Sequence, residues 1–251
     1  MICPHAGFRY SGPTAAYSYR AIQQELARPD SPIRHILVLH PSHHVYLDGC
    51  AVSGASVIHT PLGNLTVDDA LRNEIMSHKA AGFSTMSRSV DEAEHSGEMQ
   101  YPFLALVAPH LPVLPVMCGA MRKEEPYGQR LASIVQRDDV LTVVSSDFCH
   151  WGARFQYQPT GVGRRPIHEF IEELDRRGMD LIRLQQPGAF AEYLKETRNT
   201  ICGRHAIAVW MWAAEADLEV DFVRYAQSSA VTSMHESSVS YASAVVVRKQ
   251  G

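Results

Sequence analysis

The chain has 251 residues, of which 45% are hydrophobic and 20% are charged, a balance typical of a folded protein rather than a disordered one. Its formal net charge of −4 disfavours nucleic-acid binding, because that role needs a basic surface. The absence of any run of about 18 apolar residues argues against a membrane-spanning helix. The N-terminus carries no secretory signal pattern and the 5 cysteines are an odd count, so we expect reduced thiols and a cytoplasmic protein, with the nucleus as an alternative location.

Short apolar segments alternate with longer helical patterns along the chain, which predicts an α/β fold with a mixed, largely parallel sheet. In the first half, the predicted strands are residues 2–3, 34–40 and 111–118, with short strands and turns across residues 50–65. The predicted helices of this half are residues 11–28, 68–81, 96–108 and 122–136. Ser11 is the expected N-cap of the first helix, and Gly82 is expected to end the second.

The second half continues the same alternation. Its predicted strands are residues 140–146, 220–226 and 238–248, and its predicted helices are residues 166–177, 187–197 and 205–218. Only residues 156–165 are expected to form a loop of any length. No repeat, low-complexity tract or interdomain linker is visible, so the sequence predicts a single domain over residues 1–251.

Side chains that commonly bind metals follow three of the predicted strands. They are His5 after the first strand, His43 after the second, and Asp147 and His150 after the strand at residues 140–146. In open α/β sheets, ligands bind at the carboxyl ends of the strands. We therefore expect these side chains to converge at one edge of the sheet.

Each of these side chains could instead have a purely structural role. His5 and His43 lie near prolines and could simply form turns, while Asp147 could cap the segment that follows it. Cys149 is expected to be a small buried residue, and His205 could be a hydrogen-bonded core histidine.

We make a separate prediction for each of two further residues, Cys202 and His44. Cys202 precedes a predicted helix, whose dipole would lower the pKa of its thiol, so a redox-reactive thiol that forms a sulfenic acid is one hypothesis. His44 is adjacent to His43, and we expect it to lie behind His43 because neighbouring side chains rarely point the same way.

The sequence patterns of several other enzyme classes are absent. There is no G-x-S-x-G, P-loop, G-x-G-x-x-G, H-E-x-x-H or C-x-x-C pattern. The sequence therefore disfavours an α/β-hydrolase, a nucleotide-binding enzyme of the common types, a zinc protease and a structural zinc site.

Seven short segments, taken in their order along the chain, indicate a relationship to a known family. They are Pro4-His5-Ala6-Gly7-Phe8, Pro41-Ser42-His43-His44, Glu94-His95-Ser96, residues 145–152 (SSDFCHWG), 199–205 (NTICGRH), 225–229 (YAQSS) and 237–242 (SSVSYA). Together they resemble the Memo family, mediators of growth-factor-driven cell motility. The resemblance implies the fold of class III extradiol (LigB-type) dioxygenases, a single-domain α/β/α sandwich.

The resemblance also implies a metal pocket on His5, His43 and Cys202, with Asp147 and His150 beside them as further ligands or catalytic groups. In the related dioxygenases, two histidines and a glutamate hold iron, and a further histidine, matched here by His150, does acid–base work. Cys202 stands in place of the carboxylate, and a thiolate selects softer metals. The implied cofactor is iron or copper, with zinc as a third choice. The implied activity is that of a metal-dependent oxidoreductase with an unidentified small-molecule substrate, and extradiol ring cleavage is disfavoured.

A non-enzymatic adaptor is the alternative. The resemblance implies phosphotyrosine-peptide binding in the same cleft, for example to a receptor tail, and protonated histidines with Arg204 nearby could hold the phosphate. Family members carry several tens of residues before the His5 motif, so the N-terminal segment is expected to be truncated here.

Overall fold

The computed structural model describes residues 1–77, 82–160, 165–214 and 218–249. The strands in these ranges are β1 (Ile2–Cys3), β2 (His35–Pro41), β3 (Cys50–Val52), β4 (Val57–Thr60), β5 (Gly63–Thr66), β6 (Phe83–Thr85), β7 (Val113–Cys118), β8 (Val140–Ser145), β9 (His150–Trp151), β10 (Leu218–Gln227) and β11 (Ser238–Arg248). The helices are α1 (Phe8–Leu26), α2 (Asp69–Ser77), α3 (Arg88–Ala93), α4 (His95–Glu98), α5 (Tyr101–Val107), α6 (Glu125–Val135), α7 (Ile167–Arg183), α8 (Pro187–Thr197) and α9 (Arg204–Ala213), with a short 3₁₀ turn at Ala153–Phe155.

A nine-stranded sheet forms the centre of the fold. Its order is β10-β11-β1-β8-β2-β7-β3-β6, and β9 pairs with β11 beside this path. The central strands β1, β8, β2 and β7 are parallel, whereas β11 pairs antiparallel with β1, and β3 pairs antiparallel with β7. Strands β4 and β5 form a separate hairpin. The predicted α/β class with a mixed sheet and a parallel centre is confirmed.

Helices cover both faces of the sheet, as the alternation along β2 illustrates. Ile36 and Val38 are buried in a cluster with α1 and α5, whereas Leu37 and Leu39 are buried in a second cluster with α2, α6, α7, α8 and α9. Successive side chains of a strand point to opposite faces, so these two clusters are the two apolar layers of an α/β/α sandwich. In the ranges that the structure describes, no helix combines the length and the apolar character needed to cross a bilayer.

Several predicted elements match observed ones closely. The apolar run predicted as a strand at 34–40 is β2, and the run at 140–146 is β8. The helix predicted at 187–197 has the bounds of α8, where proline is tolerated in the first turn. The last two predicted strands are β10 and β11.

The start of one predicted helix and the continuity of another were wrong. Helix α1 begins at Phe8, so Ser11 is not its N-cap but lies inside the helix, where Oγ donates to the carbonyl of Ala6 at 2.6 Å. The helix predicted at 96–108 is divided into α4 and α5, because Pro102 in the first turn of α5 has no N–H to continue a helix from α4. Helix α3 was not predicted.

The ends of two predicted helices were also wrong. The helix expected to stop at Arg177 continues as α7 to Arg183 through Gly178, which the ring of Tyr193 packs against. Leu218, expected to end the last helix, instead begins β10, and α9 ends at Ala213.

The helix predicted at 68–81 corresponds to α2. Asp68 precedes this helix, and its carboxylate accepts the N–H of Leu71 at 3.0 Å. Residues 78–81 of the prediction, and residues 161–164 of the predicted loop, lie outside the described residues.

Candidate metal centre

The connections that follow three parallel strands carry the predicted site residues. His5 follows β1, His43 follows β2, and Asp147 and His150 follow β8. Because β8 pairs in parallel with both β1 and β2, these connections leave the sheet at the same edge. Cys202 reaches this edge from the segment between α8 and α9.

His5 is buried, and its surroundings determine which ring nitrogen carries the proton. Ser145 Oγ donates to the carbonyl of Ser96 at 2.7 Å and accepts from Gln100 Nε2 at 2.9 Å. With its own proton used, Ser145 Oγ can only accept from His5 Nδ1, which lies 2.9 Å away. His5 Nε2 is therefore unprotonated, and it faces Cys202 Sγ at 3.2 Å.

The five predicted residues form two groups that share Cys202. One ligand atom each from His5, His43 and Cys202 lie within 4.8 Å of one another, and the same holds for Asp147, His150 and Cys202. On one tetrahedral metal ion, a nitrogen and a sulfur ligand lie roughly 3.5 Å apart. The 3.2 Å between His5 Nε2 and Cys202 Sγ is close to that spacing, so these two donor atoms are placed as they would be on one transition-metal ion.

Asp147 is buried beside both His5 and Cys202. Its Oδ1 accepts the backbone N–H groups of His5 at 2.8 Å and of Ala6 at 3.3 Å, and its own N–H donates to Cys202 Sγ at 3.3 Å. Burial raises the pKa of Asp147 to about 7, although the two N–H groups oppose the shift. The carboxyl group therefore exchanges its proton near neutral pH.

Glu94 holds His43 in place. His43 Nδ1 donates to Glu94 Oε1 at 2.8 Å, the His43 backbone N–H donates to Oε2 at 2.6 Å, and Ser96 N–H donates to Oε1 at 3.0 Å. Burial favours a raised pKa for Glu94, but these hydrogen bonds outweigh it and lower the pKa well below its usual range. Glu94 is therefore ionised, and the His43 Nε2 remains free to bind a ligand.

Two more histidines lie at the mouth of this cleft. The ring of His95 is 4.5 Å from that of His43 and 5.6 Å from that of His5, measured between centroids. His95 also forms a third potential ligand group with His43 and Glu94. The ring of His44 lies 5.9 Å from His95, one layer further out.

His150 is fixed by the segment that carries Cys202. His150 Nδ1 lies 2.9 Å from the carbonyl of Phe148 and 3.1 Å from that of Thr200, so Nδ1 is the donor and Nε2 is unprotonated. Thr200 Oγ1 also accepts the backbone N–H of His150 at 2.7 Å and donates to its carbonyl at 3.0 Å. Burial lowers the pKa of His150, so this ring is neutral at neutral pH.

The expectation of a lowered pKa for the Cys202 thiol was wrong. Burial raises it, and the charge of Asp147 adds to the shift. Cys202 lies two residues before α9, and the desolvation of its thiolate outweighs any helix-dipole effect. Without a metal ion the group is a protonated thiol, which disfavours the hypothesis of a peroxide-reactive cysteine.

A buried carboxylate in α7 connects the two segments beneath the site. Asp175 Oδ1 accepts the N–H of Cys149 at 3.1 Å and Asn199 Nδ2 at 3.0 Å, and Oδ2 accepts the hydroxyl of Tyr225 at 2.9 Å. Cys149 precedes His150, and Asn199 precedes the Thr200 that holds it. Cys149 is fully buried, as expected from the sequence.

Arg204 and His205 lie outside the cleft. They line a separate surface cavity with Glu124, whose Oε1 lies 2.7 Å from His205 Nδ1. His205 is thus a half-buried histidine paired with Glu124, close to the hydrogen-bonded core histidine that the sequence suggested. The Arg204 guanidinium donates to the carbonyl of Ile201 at 3.3 Å.

Sequence reasoning missed Glu94, His95, Ser145 and Asp175 as members of this site. Glu94 and His95 stand in one of the seven segments of the resemblance, which was the available signal for them. Ser145 begins the segment 145–152 of the same resemblance, although as the last residue of the apolar strand β8 it has no local pattern of its own. Asp175 lies within an amphipathic helix and outside the seven segments, so no signal pointed to it.

The fold and this cleft define a class: an α/β/α protein with a histidine- and cysteine-lined centre at the carboxyl edge of its sheet. The family model described as "Memo-like protein" matches residues 1–245. The chain belongs to this family.

Curated relatives agree with the family assignment. The chain is 40% identical over 258 residues to "Protein memo-1 homolog" of Caenorhabditis elegans, with 98% of this chain and 71% of that protein covered. It is 39% identical over 259 residues to "Protein MEMO1" of Xenopus laevis (98% and 84% covered). It is 38% identical over 254 residues to "Protein MEMO1" of Homo sapiens (96% and 83% covered).

Among solved structures, the chain is similar to an uncharacterized protein from Escherichia coli K12. The TM-score is 0.50 at 13% sequence identity, and the match covers 88% of this chain and 91% of that one. At this identity the likeness concerns the fold alone.

Proposed function

We propose that this protein binds a redox-active transition metal through His5, His43 and Cys202. One observation carries the proposal: His5, His43 and His150 each use Nδ1 to donate to a protein acceptor and keep Nε2 unprotonated at the same edge of the sheet. Acceptors that orient the ring from behind are the usual support of metal-ligating histidines. The Cys202 thiol, 3.2 Å from His5 Nε2, supplies the third donor.

The charge state of the cleft favours a cation over an anion as its ligand. Burial, together with neighbouring histidines, lowers the pKa of His5 well below its usual value, and burial also lowers those of His95 and His150. Neutral imidazoles bind metal ions, whereas phosphate recognition needs charged donors. Arg204, the cation expected to help hold a phosphate, lines the separate cavity. The phosphopeptide adaptor is therefore the weaker alternative.

The donor set narrows the choice of metal. Two imidazoles and a thiolate favour iron, copper or zinc over magnesium or calcium. Iron or copper, when bound, would supply one-electron redox chemistry. The cysteine in place of a carboxylate argues against extradiol ring cleavage, and we propose a different metal-dependent oxidation. Family resemblance implies that this reaction takes place in growth-factor-driven cell motility.

Asp147 and His150 are the groups that we propose to move protons in this reaction. His150 Nε2 is unprotonated and can accept a proton, while its Nδ1 stays bonded to the carbonyls of Phe148 and Thr200. Asp147 has a pKa of about 7, so it can hold or release a proton at Oδ2 while Oδ1 stays bonded to the N–H of His5. The thiol of Cys202 must lose its own proton when it binds a metal ion.

Elemental analysis of protein purified without a histidine tag tests the proposal. We expect iron or copper at close to one ion per chain in the wild type, and loss of most of it in Cys202→Ser. Cys118→Ala is the matched control, because Cys118 is a buried thiol in β7 outside the ligand groups.

A metal-free wild type that also fails to take up Fe²⁺ or Cu⁺ in an anaerobic titration would overturn the proposal. Retention of full metal by Cys202→Ser would overturn the ligand assignment. In either case, titration with a phosphotyrosine peptide would test the adaptor alternative, using His5→Ala and His43→Ala as the variants that must weaken binding.

A further inference from the structure

Four histidine rings form a continuous row from the protein surface to the metal centre. The ring centroids are 5.9 Å apart from His44 to His95, 4.5 Å apart from His95 to His43, and 5.3 Å apart from His43 to His5. The proposed metal function uses the inner two rings as ligands. It gives no role to His44 and His95, which we call the outer pair.

Solvent exposure falls along this row. His44 is exposed, and the side chain of His95 is 46% exposed. The side chain of His43 is 27% exposed, and His5 is only 2% exposed. The row of rings therefore leads from bulk solvent to a centre whose innermost histidine the solvent does not reach.

The spacing of the rings allows neighbours to share a metal ion. An ion at roughly 2 Å from one nitrogen of each of two imidazoles can bridge rings whose centroids are up to roughly 6 Å apart. All three spacings in the row are within that limit. Each ring can therefore bind an ion before its outer neighbour has released it.

The outer pair is free to bind a ligand. In the ranges that the structure describes, neither His44 nor His95 uses a ring nitrogen in a hydrogen bond. His95 Nδ1 lies 3.5 Å from Glu94 Oε1, so an ionised carboxylate stands beside this ring. The charge of Glu94 attracts a cation to the mouth of the cleft.

An ion on the outer pair is distinct from an ion at the centre. Ligand atoms of His95, His43 and Glu94 lie within 4.8 Å of one another, but among the described residues no such group contains both His95 and Cys202. His43 belongs to this outer group and also to the group with Cys202. It is therefore the ligand that the two positions have in common.

We infer that His44 and His95 form an outer metal-binding site, which receives an ion from solvent and passes it to His43. The inference rests on the proposed metal centre and adds the way in which that centre is filled. Imidazoles suit iron, copper and zinc, and the thiolate of the inner set makes the inner position the tighter one. The transfer exchanges ligands only. Each new nitrogen–metal bond replaces an older one, the oxidation state of the ion is unchanged, and the Cys202 thiol releases its proton to solvent as the metal–sulfur bond forms.

Stopped-flow absorbance with Co²⁺ and the metal-free full chain tests the inference. A cobalt–thiolate bond absorbs in the near ultraviolet, so the signal reports arrival of the ion at Cys202, and Cys202→Ser should show no such band. We expect the rate to reach a plateau as the Co²⁺ concentration rises, because weak binding to the outer pair precedes transfer. His44→Gln and His95→Gln should each lower the rate at low Co²⁺ by about 10-fold and leave the final amplitude unchanged.

The matched control is His110→Gln, which should leave the rate unchanged. His110 is exposed and precedes the parallel strand β7, so it lies at the opposite edge of the sheet from the metal centre.

His95→Asp separates a role as ligand from a role in packing. A carboxylate also binds Co²⁺, so this variant should keep about half or more of the wild-type rate, whereas a packing role would be lost in both substitutions. Unchanged rates in His44→Gln and His95→Gln, or a rate in His95→Asp as low as in His95→Gln, would overturn the inference and leave the metal centre standing. A wild type without a cobalt–thiolate band would overturn the metal centre and the inference with it.

Discussion

Glu94 contacts His43 through both carboxylate oxygens, one accepting the ring Nδ1 at 2.8 Å and the other the backbone N–H at 2.6 Å. This pair fixes the orientation of the ring and, at the same time, the position of the chain that carries it. Because Nδ1 is used, Nε2 is the only ring nitrogen of His43 that can bind a metal ion. Glu94 is thus a positioning residue for the proposed centre.

Glu94→Gln should reduce metal affinity by about 10–100-fold, because the amide cannot accept both bonds and carries no charge to support the ring. Competition against a chelator of known affinity measures the change. Glu92→Gln, two residues earlier at the end of α3 and paired with Arg88 at the surface, is the control. An affinity within 2-fold of the wild type would show that His43 needs no such support.

Gly203→Ala should disturb the centre through packing alone. A Cβ at this position would lie 2.4 Å from the Cβ of Ser146 and 2.6 Å from the carbonyl oxygen of Ser145, so the Cys202 segment must move away from the connection after β8. We expect a loss of about 1–3 kcal/mol of folding free energy and weaker metal binding.

The matched control for this change is Gly188→Ala in α8, where a new Cβ has no heavy atom within 4 Å. Alanine favours the helix there, so we expect a gain of about 0.5–1 kcal/mol. Urea unfolding measures both variants. Equal stability of the two would contradict the close approach of Gly203 to Ser146.

Asp175→Ala should lower the free energy of unfolding by about 3 kcal/mol, because it removes the acceptor of two buried donors, the N–H of Cys149 and the amide of Asn199. The Tyr225 hydroxyl also loses this acceptor but keeps Ser240 Oγ within 3.2 Å. Asp180→Ala on the same helix removes an exposed carboxylate that pairs with Arg183, and its cost should stay within about 0.5 kcal/mol. A cost for Asp175→Ala as small as that of its control would rule out this network as a stabilising one.

Burial of His40 should make stability depend on pH. Burial lowers its pKa to about 4, while the unfolded chain binds a proton near pH 6.5. Between these values the unfolded state holds more protons, so this contribution to stability is complete above pH 6.5 and is lost as pH falls towards 4. The slope is at most about 1.4 kcal/mol per pH unit, and the total is about 3 kcal/mol.

Urea unfolding of His40→Gln across pH 4.5 to 7 isolates this contribution. Asp147 and Asp175 have raised pKa values and act in the opposite direction, but they are common to both proteins and cancel in the difference. The stability difference between wild type and His40→Gln should shrink as pH falls. A constant difference for His40→Gln would exclude a buried, neutral His40.

Sequence patterns were sufficient for the parts of the fold that depend on local hydrophobic runs. The apolar segments at β2 and β8 are buried on both faces, so their composition alone predicts parallel strands. The expectation that side chains after three strands converge followed from the same reasoning, and the structure brings His5 and Asp147 into direct contact. Cys202 entered the site only through the family resemblance, because it follows no strand.

The contacts that orient the site could not be read from local patterns. Glu94 binds a histidine that lies 51 positions away in the sequence. The N–H of Cys149 donates to Asp175, which lies 26 positions further along the chain. The pKa of Cys202 depends on burial that only tertiary packing creates, which is why the helix-dipole argument failed. The helix predicted at residues 166–177 continues through Gly178, where the ring of Tyr193 from another helix packs closely, a contact that the local sequence does not reveal.

The separation of 197 residues between His5 and Cys202 has a consequence for how the centre is filled. A ribosome adding about 5–20 residues per second needs roughly 10–40 s to reach the cysteine after it has made the histidine. Over that interval the nascent chain offers imidazoles but not the thiol beside them. With the proposed ligand set, stable binding of a metal ion would follow synthesis of most of the chain, and a truncated product ending before Cys202 would carry the first two proposed ligands but not the third.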